Sequence, residues 1–285
     1  METSNSAHRK DEILPPDLSR QLRRFYSDST AYRDHLAQKD ESHFQNFVRL
    51  VSTHIPSDSS ILEIGTGTGQ VAWALSQKKY HVVGSDISFL FLRAASRTIA
   101  TPAKPAFANC DAAALPFRSN SFDAVVGGEL VEHLPDLNAV LREMARVVRP
   151  GGRIVLRSPA LASPIWPLID LPRLLTGKGG RPPHYNTFGE AMRFFGSNLM
   201  RSMRIALRKQ VVFEQRQPDL DLSVEGGDRD AAYWSSVVEI SRLLISLNFK
   251  IIQKVEISRP KLIGRLLAQF APFLSPTIAL VAEKK

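Results

Sequence analysis

The segment SILEIGTGTGQ, Ser60 to Gln70, runs an apolar strand-like stretch into glycines at every second position and then into helical spacing. Glycine lets a backbone turn tightly and bring its amides against a ligand at a helix N-terminus. Such a turn after an apolar strand constrains the fold more than any other feature of the chain. It also raises a question, because Glu63 sits among residues whose pattern demands burial. A buried acid is costly unless something satisfies it.

From Ser60 to Pro159 strands and helices alternate strictly. SSILEIG, YHVVGSD, PAFANCD, FDAVVGG and GRIVLRSP read as strands, and QVAWALSQKK, SFLFLRAASRTIA and LNAVLREMARVV read as helices. The strands are short and almost continuously apolar, as in a parallel sheet covered on both faces. This alternation implies right-handed crossovers and an α/β, doubly wound, mostly parallel sheet. Pro150-Gly151-Gly152 reads as a helix stop. Two helices are expected before the sheet, over Phe25–His35 and His43–Val51. A helix over YWSSVVEISRLLISLNF and strands KIIQKVEIS and TIALVAEKK follow it.

The expected organisation is a flexible tail over 1–24, lid helices over 25–58 and a ligand-binding core over 59–159. A substrate-cap insertion then covers 160–235, and a C-terminal helix with the last strands over 236–285 completes the sheet. Within the insertion, Asn186 or Thr187 is placed to cap a helix whose first apolar anchor is Phe188.

Composition narrows the function classes. No apolar run reaches the roughly 18 residues that a membrane span needs. METSNSAHRKDE has no apolar signal region, and a cytoplasmic location is expected. The single cysteine, Cys110, leaves no disulfide framework, cysteine zinc site or cysteine-held cluster. Of the formal charge of +9, residues 1–150 contribute nothing, with 17 basic and 17 acidic side chains; residues 151–285 hold 20 and 11. That field suits anionic partners. NLMRSMRIALRK sets Leu199, Met203 and Leu207 beside Arg201, Arg204 and Arg208, a pattern that fits either cap packing or a peripheral contact with a membrane. LIGRLLAQFAPFLSP offers a second such element. No RNA-binding module or aromatic–basic stacking run is visible, so nucleic acid is not an expected partner.

Ligands of open parallel sheets lie beyond the carboxyl ends of the strands. Gly65, Gly67 and Gly69 occupy that place after the first strand, although a dinucleotide fold prefers a third glycine one residue later. Asp86 closes the second strand, where a carboxylate can accept both ribose hydroxyls; nicotinamide and adenosyl ligands share that feature. Asp111 follows the third strand, placed to accept from an adenine amine.

Taken in order, ILEIGTGTGQ, VVGSDIS, NCDAAALPFRSNSFDAVV, VEHLPD and ARVVRPGGRIVL resemble the class I S-adenosylmethionine-dependent methyltransferases, in the branch that acts on quinones, lipids and other small molecules. The resemblance implies a seven-stranded Rossmann-like sheet, S-adenosyl-L-methionine as cofactor and transfer of a methyl group to a small acceptor. An apolar cap near the pocket would favour a lipophilic one, and ordinary packing is the alternative for those apolar stretches. The alternatives are methylation of RNA or protein through the basic second part, or cofactor binding without catalysis. Carried onto this chain, Gly65, Gly67 and Gly69 pass under the methionine moiety and ribose. Glu63 supports the turn through backbone amides and meets the methionine ammonium. Asp86 takes the ribose hydroxyls, Ile87 one face of adenine, and Asp111 and Ala112 the adenine edge. Gly128 and Glu129 line the methionine side.

His133, after the fourth strand, is the candidate catalytic base, since histidine titrates in the useful range. Tyr32 and His184 are candidate substrate contacts. Glu129-Leu-Val-Glu132-His133 also resembles the Glu-x-x-Glu-His by which some other methyltransferases hold a divalent metal. The reading adopted is that Glu132 and His133 order the loop and that no metal is bound.

Overall fold

The computed structural model describes residues 18–39, 41–98, 104–177, 185–220, 228–254 and 271–285. Before the sheet come α1 (Leu18–Asp28), α2 (Thr30–Ala37) and α3 (Glu41–His54). The core then runs β1 (Ser60–Ile64), α4 (Gln70–Ser76), β2 (His81–Asp86), α5 (Phe89–Thr98), β3 (Ala106–Asn109), β4 (Phe122–Gly128), α6 (Leu137–Val147) and β5 (Val148–Pro159). Beyond it lie α7 (Trp166–Ile169), α8 (Leu171–Leu175), α9 (Phe188–Leu207), α10 (Val237–Ser246), β6 (Phe249–Gln253) and β7 (Thr277–Lys284).

The seven strands order as β3-β2-β1-β4-β5-β7-β6. β1 pairs in parallel with β2 and β4, β2 with β3, and β4 with β5, while β7 runs antiparallel between β5 and β6. The order reverses direction between β1 and β4, which opens the crevice at their carboxyl ends.

Alternation along each strand divides the core. Leu62, Val125 and Ile154 point to the face covered by α1, α6 and α10, with Leu22, Leu141, Met144 and Leu244. Ile61, Ala124, Val126 and Val155 point to the other, against Phe47, Val51 and Leu75 of α3 and α4. Side-chain period two places neighbours on opposite faces, so nearly every position of the central strands is apolar.

Three expectations change. The tail expected over 1–24 is helical from Leu18, whose side chain is buried with that of Leu22. The helix expected across Phe25–His35 breaks at Ser29, where the Ser29 hydroxyl accepts from the Tyr32 amide (3.2 Å) and starts α2. A serine N-cap competes with helix continuation, which the apolar spacing alone does not register. Third, α6 ends at Val147 and β5 begins at once: Val148 pairs with Phe122 and Arg153 with Ala124. Pro150-Gly151-Gly152 is thus a bulge inside the strand, with Gly151 at φ +75°.

β7 joins both halves, since it alone connects β5 to β6. Leu280, fully buried opposite Leu156, is its central core residue. Leu280→Ala is expected to cost about 2–5 kcal/mol in urea unfolding, with no change in slope.

Candidate active site

After β1 the chain is held in the left-handed region three times: Gly65, Gly67 and Gly69 have φ of +70°, +53° and +85°. A β-carbon on Gly65 would lie 2.7 Å from Leu130 Cδ1, so bulk is excluded there as well as strain. Gly69 is the N-cap of α4, and the turn delivers its amides to the crevice.

Glu63 is buried, and its Oε2 accepts from the Thr66 hydroxyl at 2.6 Å. The Ala72 backbone amide, in the first turn of α4, also favours its ionised form. The acid thus bonds the turn chiefly through the Thr66 hydroxyl, where the expectation was of backbone amides. Thr66 is a stronger partner because its hydroxyl rotates to suit. Burial, and then the nearby charge of Asp86, raise Glu63 to about 7 despite those donors.

The glycine amide goes to Asp86 instead. Asp86 Oδ2 accepts from Gly67 N–H (2.9 Å) and Oδ1 from Ser88 N–H (2.8 Å). Burial raises Asp86 to about 6, with the amide bonds opposing it. Asn109 donates to the carbonyls of Asp86 and Ile87 and fixes the loop that carries Ile87. Asp111 Oδ1 accepts from Ala113 N–H (2.9 Å), and Oδ2 lies 2.6 Å from a guanidinium nitrogen of Arg23 on α1.

Glu63, Gly65, Thr66, Gly67, Asp86, Ile87, Asp111 and Arg23, with Ala112, Gly128, Glu129, Tyr32 and His133, line one chamber of about 580 Å³, whereas Gly69 caps α4 outside that lining. Its roof is α1, α2 and α3. Gln70 donates to the Leu36 carbonyl, and the Ser88 hydroxyl to that of Tyr26. Phe47 packs so closely on Gly128 that a β-carbon there would lie 2.7 Å from its ring. From the stretch expected to cap the chamber, only Asp228 and Asp230 line it among the described residues. His184 lies outside the described residues.

The end of the chamber beyond Gly128 is a cluster of ionisable groups. Glu129 stands at φ +48° and pairs with Arg157 (2.9 Å). Glu132 and His133 form a single 3-10 turn. Asp230 Oδ2 accepts from Tyr26 OH (2.8 Å) and Tyr32 OH (3.1 Å), and His133 Nδ1 lies 3.3 Å from the same oxygen. His133 Nε2 is 3.5 Å from Oε1 of Glu132, which is fully buried with no hydrogen-bond partner on either oxygen. Burial disfavours the imidazolium, but the carboxylates of Asp230, Glu132, Asp228 and Glu129 outweigh it and raise His133 to about 9. Near neutrality the ring therefore carries a proton. Burial raises Glu132 too, against the pull of His133.

Glu132, His133 and Asp228 each offer one ligand atom, all within 4.8 Å of one another, a set with the oxygen and imidazole donors of a hard-cation site. The same three groups also balance one another as an ion cluster. Sequence reasoning did not single out Asp228, Asp230, Tyr26 or Arg23. GDRD carries no local signal; only folding brings it to the fourth strand, where the Ala232 amide donates to the Glu132 carbonyl (2.6 Å).

Comparison with known proteins agrees with this arrangement. Residues 62–156 match a family model described as a methyltransferase domain. The chain is 36% identical over 127 residues to the ubiquinone/menaquinone biosynthesis C-methyltransferase of Desulfotalea psychrophila, an overlap covering 40% of this chain and 48% of that protein. It is 33% identical to the demethylmenaquinone methyltransferase of Roseiflexus castenholzii over 49% of this chain and 63% of that protein. The chain thus spans about half the length of these relatives. Among solved structures, an S-adenosylmethionine-dependent methyltransferase from Mesorhizobium loti superposes with a TM-score of 0.55 at 15% identity, covering 86% of this chain and 99% of that one. The magnesium protoporphyrin IX methyltransferase of Synechocystis, solved with bound S-adenosylmethionine, gives 0.52 at 14% identity over 96% and 100%. These two likenesses are of fold. With its sheet order and its glycine turn, the core of this chain has the fold of the class I S-adenosylmethionine-dependent methyltransferases, and over residues 62–156 it is similar to their methyltransferase domain in sequence.

Proposed function

We propose that the chain transfers a methyl group from S-adenosyl-L-methionine to a small, lipophilic acceptor bound at the Glu129–His133 end of the chamber. One observation carries the reading: a bare glycine turn, Asp86 and Asp111 line a roofed chamber whose lining also includes the apolar Phe44, Phe47, Leu130, Leu134 and Val140. Two relatives that are named for quinone methylation support the acceptor class.

The cofactor supplies an activated methyl group on a sulfonium, so the protein's work is alignment and exclusion of water. Gly65 and Gly67 leave the backbone clear for a ligand, and Asp86 faces the chamber where ribose hydroxyls would lie. Asp111 reaches the adenine edge once Arg23 shares its Oδ2. The roof of α1–α3 keeps water out. His133 lies between Asp230 and Glu132, so its role in this reading is to order the carboxylates at the end of the chamber where the acceptor would bind. Peripheral contact with a membrane would bring a lipophilic acceptor within reach.

Asp86→Ala should weaken S-adenosylmethionine binding at least about tenfold in calorimetry, about 1.4 kcal/mol; unchanged affinity removes Asp86 from the ribose. Incubating metabolite extracts with methyl-labelled cofactor should place label in the lipid-soluble fraction. Label only in protein or nucleic acid would overturn the acceptor class. His133→Ala should cut that labelling at least about tenfold, 1.4 kcal/mol of barrier, while the cofactor's Kd stays within about twofold, a shift well under 1 kcal/mol.

The raised His133 also predicts a pH dependence. Because its folded value (about 9) exceeds its ordinary 6.5, the stability it contributes is complete below pH 6.5 and is lost as pH rises through 9. The loss is at most on the order of 3 kcal/mol. Thermal melts should fall across that window, and His133→Gln should flatten the fall. An identical slope in both proteins would take the charged ring out of the cluster.

A further inference from the structure

The insertion after β5 carries α7, α8 and α9, yet no described residue between 160 and 220 lines the chamber. Its main element, α9, starts on a full capping box: Thr187 Oγ1 accepts from Glu190 N–H, and Glu190 accepts from Thr187 N–H. This matches the expected Thr187 cap, but Phe188 does not anchor inward.

The helix lies with its sides reversed. Its buried stripe is partly polar: Asn198 donates to the carbonyls of Leu161 and Ser163, and Ser202 to that of Ala162. Its apolar stripe faces solvent, with Phe188 68%, Met200 66%, Met203 51% and Leu207 81% exposed, and Met192 beside them. At 3.6 residues per turn these five positions span about a third of the circumference. An amphipathic helix normally buries such a stripe. α7 packs beside α9, and Leu168 (60%) and Leu175 (79%) extend the exposed apolar area onto α7 and α8.

Cations border the stripe. Arg193 and Arg204 follow it around the helix, and exposed Arg208 and Lys209 close its C-terminal end. Of the nearby acids, Glu190 is engaged in the cap and Glu214 lies against Arg201 and Arg208. A second copy packed on this face about a twofold axis would set the same patch, and so like charges, against each other. A bilayer with anionic headgroups complements both parts: apolar side chains enter the acyl boundary and guanidinium groups meet phosphates.

We propose that the solvent-facing side of α7, α8 and α9 docks on an anionic lipid surface. No helix among the described residues is long and apolar enough to cross a membrane, so the contact is interfacial. The proposal rests on this surface and not on the methyl-transfer reading.

The test is flotation of the full chain with vesicles of phosphatidylcholine alone or with about a third phosphatidylglycerol, chosen to supply the anionic surface. The wild-type chain should float with the anionic vesicles and not with the neutral ones. It should be released as salt approaches 1 M, where the screening length falls to about 3 Å. Met203→Glu with Leu207→Glu, and separately Arg193→Glu with Arg204→Glu, should each reduce the bound fraction at least about tenfold. Unchanged S-adenosylmethionine affinity and circular dichroism would certify that both variants are folded. Failure of the wild-type chain to float with anionic vesicles overturns the proposal, as does equal flotation by folded variants. So does a dimer that Leu207→Glu dissolves in light scattering, which would make this face a self-association surface.

Discussion

Everything in the chamber is referenced to the hydrogen bond between the Gly67 amide and Asp86 Oδ2 at 2.9 Å. It ties the turn after β1 to the tip of β2, so the two strand ends cannot drift apart. The turn needs that tie because three of its residues adopt left-handed backbone, which is entropically expensive to hold. Thr66 adds a second tie within β1's own loop by donating to Glu63. A conformation poor in local preference is thus over-determined by its surroundings, as strained functional segments generally are.

The sheet was legible because its cause is local and periodic. Strand-like apolar runs, helical spacing and glycine turns recur from Ser60 to Pro159, and each alone suggests the same answer. The glycine-turn end of the chamber was legible for a related reason: Gly65, Asp86 and Asp111 lie at strand tips, so reading the strands locates them. The boundary at Ser29 and the bulge at Gly151 were not, since a cap and a register shift depend on which partner wins a particular amide or neighbour. The Glu129–His133 end was legible in Glu129, Glu132, His133 and Tyr32. Asp228 and Asp230 arrive from about a hundred residues further on, held by pairing with the loop after β4 that leaves no trace in spacing.

The acceptor end concentrates acids beyond what a lipophilic guest would require. Glu129 is offset by Arg157, and Asp230 takes two tyrosine hydroxyls, but Glu132 relies on His133. In a site of low dielectric such groups share protons and charge, so changing one alters the others. The two tyrosines extend that dependence to the roof, since they belong to α1 and α2. Closure of the helices and the charge state of the ring are consequently properties of one network.

The bridge from Arg23 to Asp111 carries a further consequence. One carboxylate oxygen anchors the first helix in the same place where an incoming amine would seek an acceptor. Guest and helix then compete for a single lone-pair direction, and by reciprocity each weakens the other's hold by the same factor. The first helix would in that way set how long a spent ligand lingers.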